Sequence, residues 1–70
     1  MTKKEMIQTI RVAEARAWGE FREAQKTFGA GDNFTQRLRV QWAMVYELME
    51  SLGIETLTTA ELLQQGLYAL

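Results

Sequence analysis

The sequence predicts an all-α protein, an antiparallel helical hairpin followed by a short third helix. Three observations support this prediction. The chain has no proline, four of its five glycines lie at predicted breaks between helices, and apolar residues recur every three or four positions along two long segments. The predicted helices span about residues 3–28, 34–52 and 59–65, within a single domain of residues 1–70.

The first helix is predicted to begin at Thr2, because Thr2 and Glu5 have the spacing of a capping box. Residues 29–31, Gly-Ala-Gly, are predicted to end it. At 100° per residue its apolar side chains form one narrow stripe, which we expect to be the buried seam. That stripe contains Met6, Ile10, Ala13, Ala17, Phe21, Ala24 and Phe28.

The second helix is predicted to start after a cap at Asp32 or Asn33 and to end at Gly53, where Ile54 would fold back on Met49 in a Schellman-type cap. Its stripe contains Phe34, Leu38, Trp42, Val45, Leu48, Met49 and Leu52. The short connection makes the two helices antiparallel. This register is expected to place Phe28 beside Phe34, and Phe21 near Trp42.

The last seventeen residues contain a second capping-box spacing, Thr58 with Glu61, and Leu57 and Leu62 stand where a hydrophobic staple belongs. Gly66 is predicted to stop this third helix. Leu67, Tyr68 and Leu70 are either pinned apolar contacts or a frayed end. Because the first helix is about two turns longer than the second, we expect the tail to cover its overhanging residues, Met6 and Ile7.

Side chains displaced in the same rotational sense from each seam should emerge together on one side of the hairpin. We call this surface the aromatic shoulder. It is predicted to contain Ile7, Trp18, Trp42, Tyr46 and Met49, with Arg11, Arg22 and Arg39 at its rim. A monomer rarely leaves such an aromatic patch bare.

The sequence leaves three ways to cover the aromatic shoulder: the tail of the same chain, a second copy across a two-fold axis, or a different protein.

The length of the chain favours association with a second chain. A 70-residue domain buries about 60% of its unfolded surface, so apolar burial of on the order of 100 kcal/mol roughly balances about 105 kcal/mol of ordering entropy. A homodimer is therefore the favoured oligomer, and another protein is the alternative partner.

The composition argues against catalysis. The chain has neither histidine nor cysteine, which leaves no zinc, haem or thiol site, and its only serine, Ser51, has no base. Glu47 is expected to face solvent, and Glu14 to be a flanking charge paired with Arg11 or with an arginine of a partner. We therefore expect a protein that is not an enzyme, with no cofactor, metal or small-molecule ligand.

Nucleic acid is an unfavoured partner. The net charge is −1 and the pI is about 5.3. Residues 52–63 resemble the turn and second helix of a helix-turn-helix, but residues 54–70 contain no Lys or Arg to contact phosphates.

No stretch approaches eighteen apolar residues and no apolar signal core follows the N-terminus, so we expect a cytoplasmic protein without a membrane span.

One resemblance covers about residues 2–55. The residues that carry it are Ala17-Trp18, the Phe28-Gly29 helix stop, residues 42–49 and Leu52-Gly53-Ile54. In these packing residues and caps the chain resembles small helical proteins of unknown function encoded by bacteriophages and mobile elements. The resemblance implies a bacterial or phage protein that is located in the cytoplasm. It identifies no catalytic or binding residue in this sequence.

Overall fold

The computed structural model describes residues 1–67 and contains three helices within them: α1 (Lys3–Phe28), α2 (Asn33–Leu52) and α3 (Thr59–Gln64). The described residues include no strand, so the predicted all-α hairpin with a short third helix is confirmed. Phe28 meets Phe34 near the connection and Trp18 meets Trp42 farther from it, which shows that α1 and α2 run antiparallel. Tyr68 and Leu70, predicted as contacts or a frayed end, lie outside the described residues.

Each helix begins at a side-chain cap. The Thr2 hydroxyl accepts the backbone N–H of Glu5 at 3.1 Å, and the Asp32 carboxylate accepts that of Phe34 at 2.9 Å. At α3 the capping box is complete, because Thr58 and Glu61 each accept the other's backbone N–H. These contacts satisfy amide groups that would otherwise have no partner in the first turn, and they confirm the predicted helix starts.

The end of α2 is a Schellman motif. Gly53 adopts the left-handed conformation (φ 69°, ψ 27°), its N–H reaches the carbonyl of Glu50, and the N–H of Ile54 bonds to the carbonyl of Met49 at 2.9 Å. This is the predicted exit of α2. Gly29 ends α1 differently, because its positive φ of 90° is combined with an extended ψ of 157°.

The α1–α2 contact closes tightly at the hinge end. Thr35 is fully buried, and its hydroxyl donates to the carbonyl of Ala24 at 3.3 Å. The small side chain of Ala24 leaves room for this close approach. The apolar core consists of Ala15, Phe21, Ala24, Met49 and Leu57.

The predicted seam is only half right. Phe21, Ala24 and Met49 are buried as expected, but Met6 is 52% exposed and Leu52 is 59% exposed. Both helices are rotated toward the aromatic shoulder, because the indoles of Trp18 and Trp42 pack against each other there, with ring centroids 4.8 Å apart. The opposite edge of each apolar stripe is left facing solvent.

The prediction that the tail covers the overhang of α1 was wrong for Met6, which is 52% exposed, whereas Ile7 is half-buried. The tail lies against α1 between Arg11 and Trp18, where Leu57 and Leu62 line one crevice with Ala15. Arg11 explains this position, because its guanidinium binds the tail there. None of the helices within residues 1–67 is both long enough and apolar enough to cross a membrane.

Candidate interaction surface

The aromatic shoulder is assembled around one cluster of tilted rings. Trp42 lies between Trp18 and Tyr46, with centroid distances of 4.8 and 5.2 Å. Trp18 also contacts Phe21 at 5.5 Å, and the guanidinium carbon of Arg22 lies 5.8 Å from the Trp18 ring centre. Four aromatic residues from two helices are therefore fixed relative to one another, and one arginine is placed for a cation–π contact.

A buried carboxylate supports this ring cluster. Glu14 is only 7% exposed, and its Oε2 accepts a 2.7 Å hydrogen bond from the indole Nε1 of Trp42. Glu14 was expected to be a flanking charge paired with Arg11 or with an arginine of a partner; its burial and the pairing of Arg11 with Glu61 show that the first of these was wrong. Because a buried Trp N–H needs an acceptor, Glu14 fixes the orientation of Trp42 within the shoulder.

Arg11 attaches the tail beside the shoulder. Its Nε donates to the carbonyl of Glu55 at 2.9 Å, and its Nη2 donates to the carbonyl of Thr56 at 3.3 Å and to the Glu61 carboxylate at 2.9 Å. The fork of the guanidinium thus joins the connection after α2 to α3. Arg11 was predicted as part of the shoulder's rim, and in the structure it binds this chain's own tail.

Glu61 has two roles in this attachment. Its carboxylate accepts a hydrogen bond from the backbone N–H of Thr58 at 3.2 Å and another from the guanidinium of Arg11 at 2.9 Å. The hydrogen bond from Thr58, followed by that from Arg11, lowers the pKa of Glu61 below its ordinary value of 4.5. The charged form of Glu61 is therefore the form that holds the tail.

The tail covers one side of the shoulder and leaves the other open. Met49 is 1% exposed and belongs to the core, and Ile7 is half-buried. Leu57 is buried in a crevice of about 180 Å³ that includes Trp18, yet Trp18 itself remains 38% exposed. Of the residues predicted for the shoulder, Trp18, Arg22 and Arg39 are exposed, and we call these three the open half.

Two buried polar residues have no counterpart in the predicted site. Glu14 is charged and Thr35 is polar, and both are buried. A prediction from apolar periodicity places such residues at the surface. The available signal is the residue that each one faces: Glu14 lies opposite Trp42, whose N–H needs an acceptor, and Thr35 lies opposite the small residue Ala24. That signal needs the helix pairing first, which a single sequence supplies only approximately.

Within residues 1–67 no three His, Cys, Asp or Glu side chains cluster in a way that could hold a metal ion. The chain matches no family model, no curated protein and no solved structure.

Proposed function

We propose that this chain is a non-enzymatic protein-interaction or structural module that acts in the cytoplasm and self-associates. The observation that carries the proposal is the state of Trp18, which is held by Trp42 and Phe21 but is still 38% exposed. A large ring that is already fixed loses little conformational entropy when a partner covers it.

The composition of the open half supports a protein partner. Tryptophan and arginine are enriched among the residues that dominate binding energy in protein interfaces. Arg22 is close enough to Trp18 to contribute through the ring face, and Arg39, predicted at the same rim, is exposed on α2. We propose a second copy of the chain as the first partner to test at this surface.

A small nucleic-acid-associated accessory protein is the alternative. Helix α3 contains six residues and carries Glu61 but no Lys or Arg, which favours the first proposal. A mobility shift with generic duplex DNA tests the alternative, because binding that weakens with added salt would support it. Unchanged mobility at low salt would count against it.

Self-association is tested by light scattering and sedimentation of the full chain from micromolar to millimolar concentration. We expect the average mass to rise with concentration, and Trp18→Ala to lower the mass reached at the highest concentration. Val40→Ala is a matched control, because Val40 is an exposed apolar residue of α2 outside the shoulder. A monomeric mass for the unmodified chain at every concentration would contradict the proposal.

A further inference from the structure

The tail, residues 54–67, binds to a surface of the hairpin that we call the tail site. The polar part of this site is Arg11, which donates hydrogen bonds to two successive backbone carbonyls of the tail and to the carboxylate of Glu61. The apolar part is a crevice of about 180 Å³, in which Ala15 and Trp18 lie beside leucines of the tail. All the groups that bind the tail belong to α1, so the hairpin of any copy of the chain presents the same site.

Few groups of the tail are buried in this site. Within residues 54–67 only Leu57 is buried, and each of the six residues of α3 keeps some exposure to solvent. A segment with few buried apolar contacts opens at a small cost in free energy compared with the rest of a fold. We therefore expect the tail to leave its site far more readily than α1 and α2 separate from each other.

The connection between α2 and the tail is built to change direction. Gly53 has a φ of 69°, and a glycine adopts negative φ values about as readily. No atom lies within 4 Å of a Cβ added at Gly53, so the space around this residue is open. Residues 54–58 form neither helix nor turn, and five residues span about 17 Å when extended. A rotation at Gly53 therefore directs the tail away from its own hairpin and leaves the contact between α1 and α2 unchanged.

We infer that the tail site also binds the tail of a second copy of this chain, so that two copies exchange residues 54–67. Exchange of an identical element is a low-cost route to a dimer, because each tail makes the same contacts with the partner as with its own chain. The inference rests on the proposed self-association and names the segment that the second copy contributes. Because Leu57 lies beside Trp18, the exchanged tail holds the second copy at the edge of the open half.

The concentration at which exchange occurs follows from the length of the connection. A short flexible connection gives the chain's own tail an effective concentration on the order of 1 mM at its site. The tail of another copy competes equally only when the protein approaches that concentration. Exchange is therefore expected in the upper part of the concentration range that tests self-association.

The test uses two full-length variants, each of which lacks one half of the attachment. Arg11→Glu removes the tail site and keeps the tail, whereas Glu61→Arg keeps the site and alters the tail. In either variant alone, like charges face each other and the tail is released. Only a mixture of the two contains an intact site and an intact tail, and these lie on different chains.

Hydrogen exchange measured by mass spectrometry follows each tail separately, because the substitution at residue 61 gives the two tail peptides different masses. When the Glu61→Arg chain is added at millimolar concentration, exchange in residues 54–67 of the Arg11→Glu chain should slow by about tenfold or more. Sedimentation of the same mixture should show a mass that rises toward that of a dimer.

The matched control is a chain that carries both substitutions, because it has no intact tail site to offer and should not slow exchange in the Arg11→Glu chain. Protection at the centres of α1 and α2 in the same data shows that the hairpin is folded. If Arg11→Glu loses that protection, Arg11→Ala takes its place in the mixture.

Unslowed exchange in the mixture, or equal slowing by the control chain, overturns the exchange of tails. Self-association still stands in that case if the mass of the unmodified chain rises with concentration. If the unmodified chain is monomeric up to millimolar concentration, both proposals fail.

Discussion

The indole Nε1 of Trp42 donates a 2.7 Å hydrogen bond to Oε2 of Glu14, which joins the two long helices at a buried point beneath the aromatic shoulder. This bond explains why a charged residue is tolerated inside a small core. It also explains the rotation of both helices, because the bond can form only when Trp42 and Glu14 face each other.

Glu14→Ala is expected to lower the free energy of unfolding by about 1–3 kcal/mol, since it leaves the N–H of Trp42 without its acceptor. Glu14→Gln should cost less, because the amide oxygen can accept the same bond. Urea denaturation followed by fluorescence measures both. Equal stability of Glu14→Ala and the unmodified chain would show that the bond does not matter for folding.

Substitution of Arg11 is expected to release the tail and to leave the hairpin folded. Arg11→Ala removes all three donated bonds to residues 55, 56 and 61, and Arg11→Lys keeps the charge but loses the fork. Hydrogen exchange should accelerate in residues 54–67 by about tenfold or more, while the centres of α1 and α2 remain protected. Arg22→Lys serves as the control, and uniform acceleration along the whole chain would contradict this expectation.

The tail should also respond to acid. Because the pKa of Glu61 is lowered in the folded state, the stabilisation is complete above about pH 4.5, and it is lost as the pH falls through the lower folded value. Unfolding measured against pH for the unmodified chain and for Glu61→Gln isolates this contribution. The difference between them should shrink below about pH 4.5, and a difference that stays constant in acid would exclude the role of Glu61.

Two glycines should respond in opposite directions to alanine. Gly53 has a φ of 69°, where a Cβ is strained, so Gly53→Ala should destabilise the fold by about 1–2 kcal/mol. Gly19 lies within α1 with nothing within 4 Å of an added Cβ, so Gly19→Ala should stabilise it by about 0.5–1 kcal/mol. Thermal melting of both variants measures the effects, and a shift in the same direction for both would contradict the predicted caps.

The helix boundaries could be predicted from sequence because they depend on local chemistry. The caps at Thr2, Asp32, Gly53 and Thr58 each involve residues within a few positions of one another. The composition of the aromatic shoulder was also accessible, since Trp18, Trp42 and Tyr46 do form one ring cluster. Its role as an interface stays a prediction.

The rotation of the helices could not be predicted from sequence in the same way. Each stripe is wider than one helix contact can bury, and periodicity does not say which edge of it turns inward. In the structure, three long-range contacts accompany the inward edge: the Trp18–Trp42 ring contact, the Glu14 hydrogen bond to Trp42 and the hydrogen bonds of Arg11 to the tail. Each joins residues at least 24 positions apart, beyond the reach of a pattern in one helix.

The edge-to-face pair of Phe28 and Phe34, with ring centroids 5.7 Å apart, lies directly beside the four-residue connection between α1 and α2. Closing so short a loop takes on the order of 100 ns or less, far less than assembling distant parts of a chain. Folding is therefore expected to start at this hinge and to proceed toward Trp18, with the tail docking last. Substitution of Phe34 should slow folding, whereas substitution of Leu57 should speed unfolding.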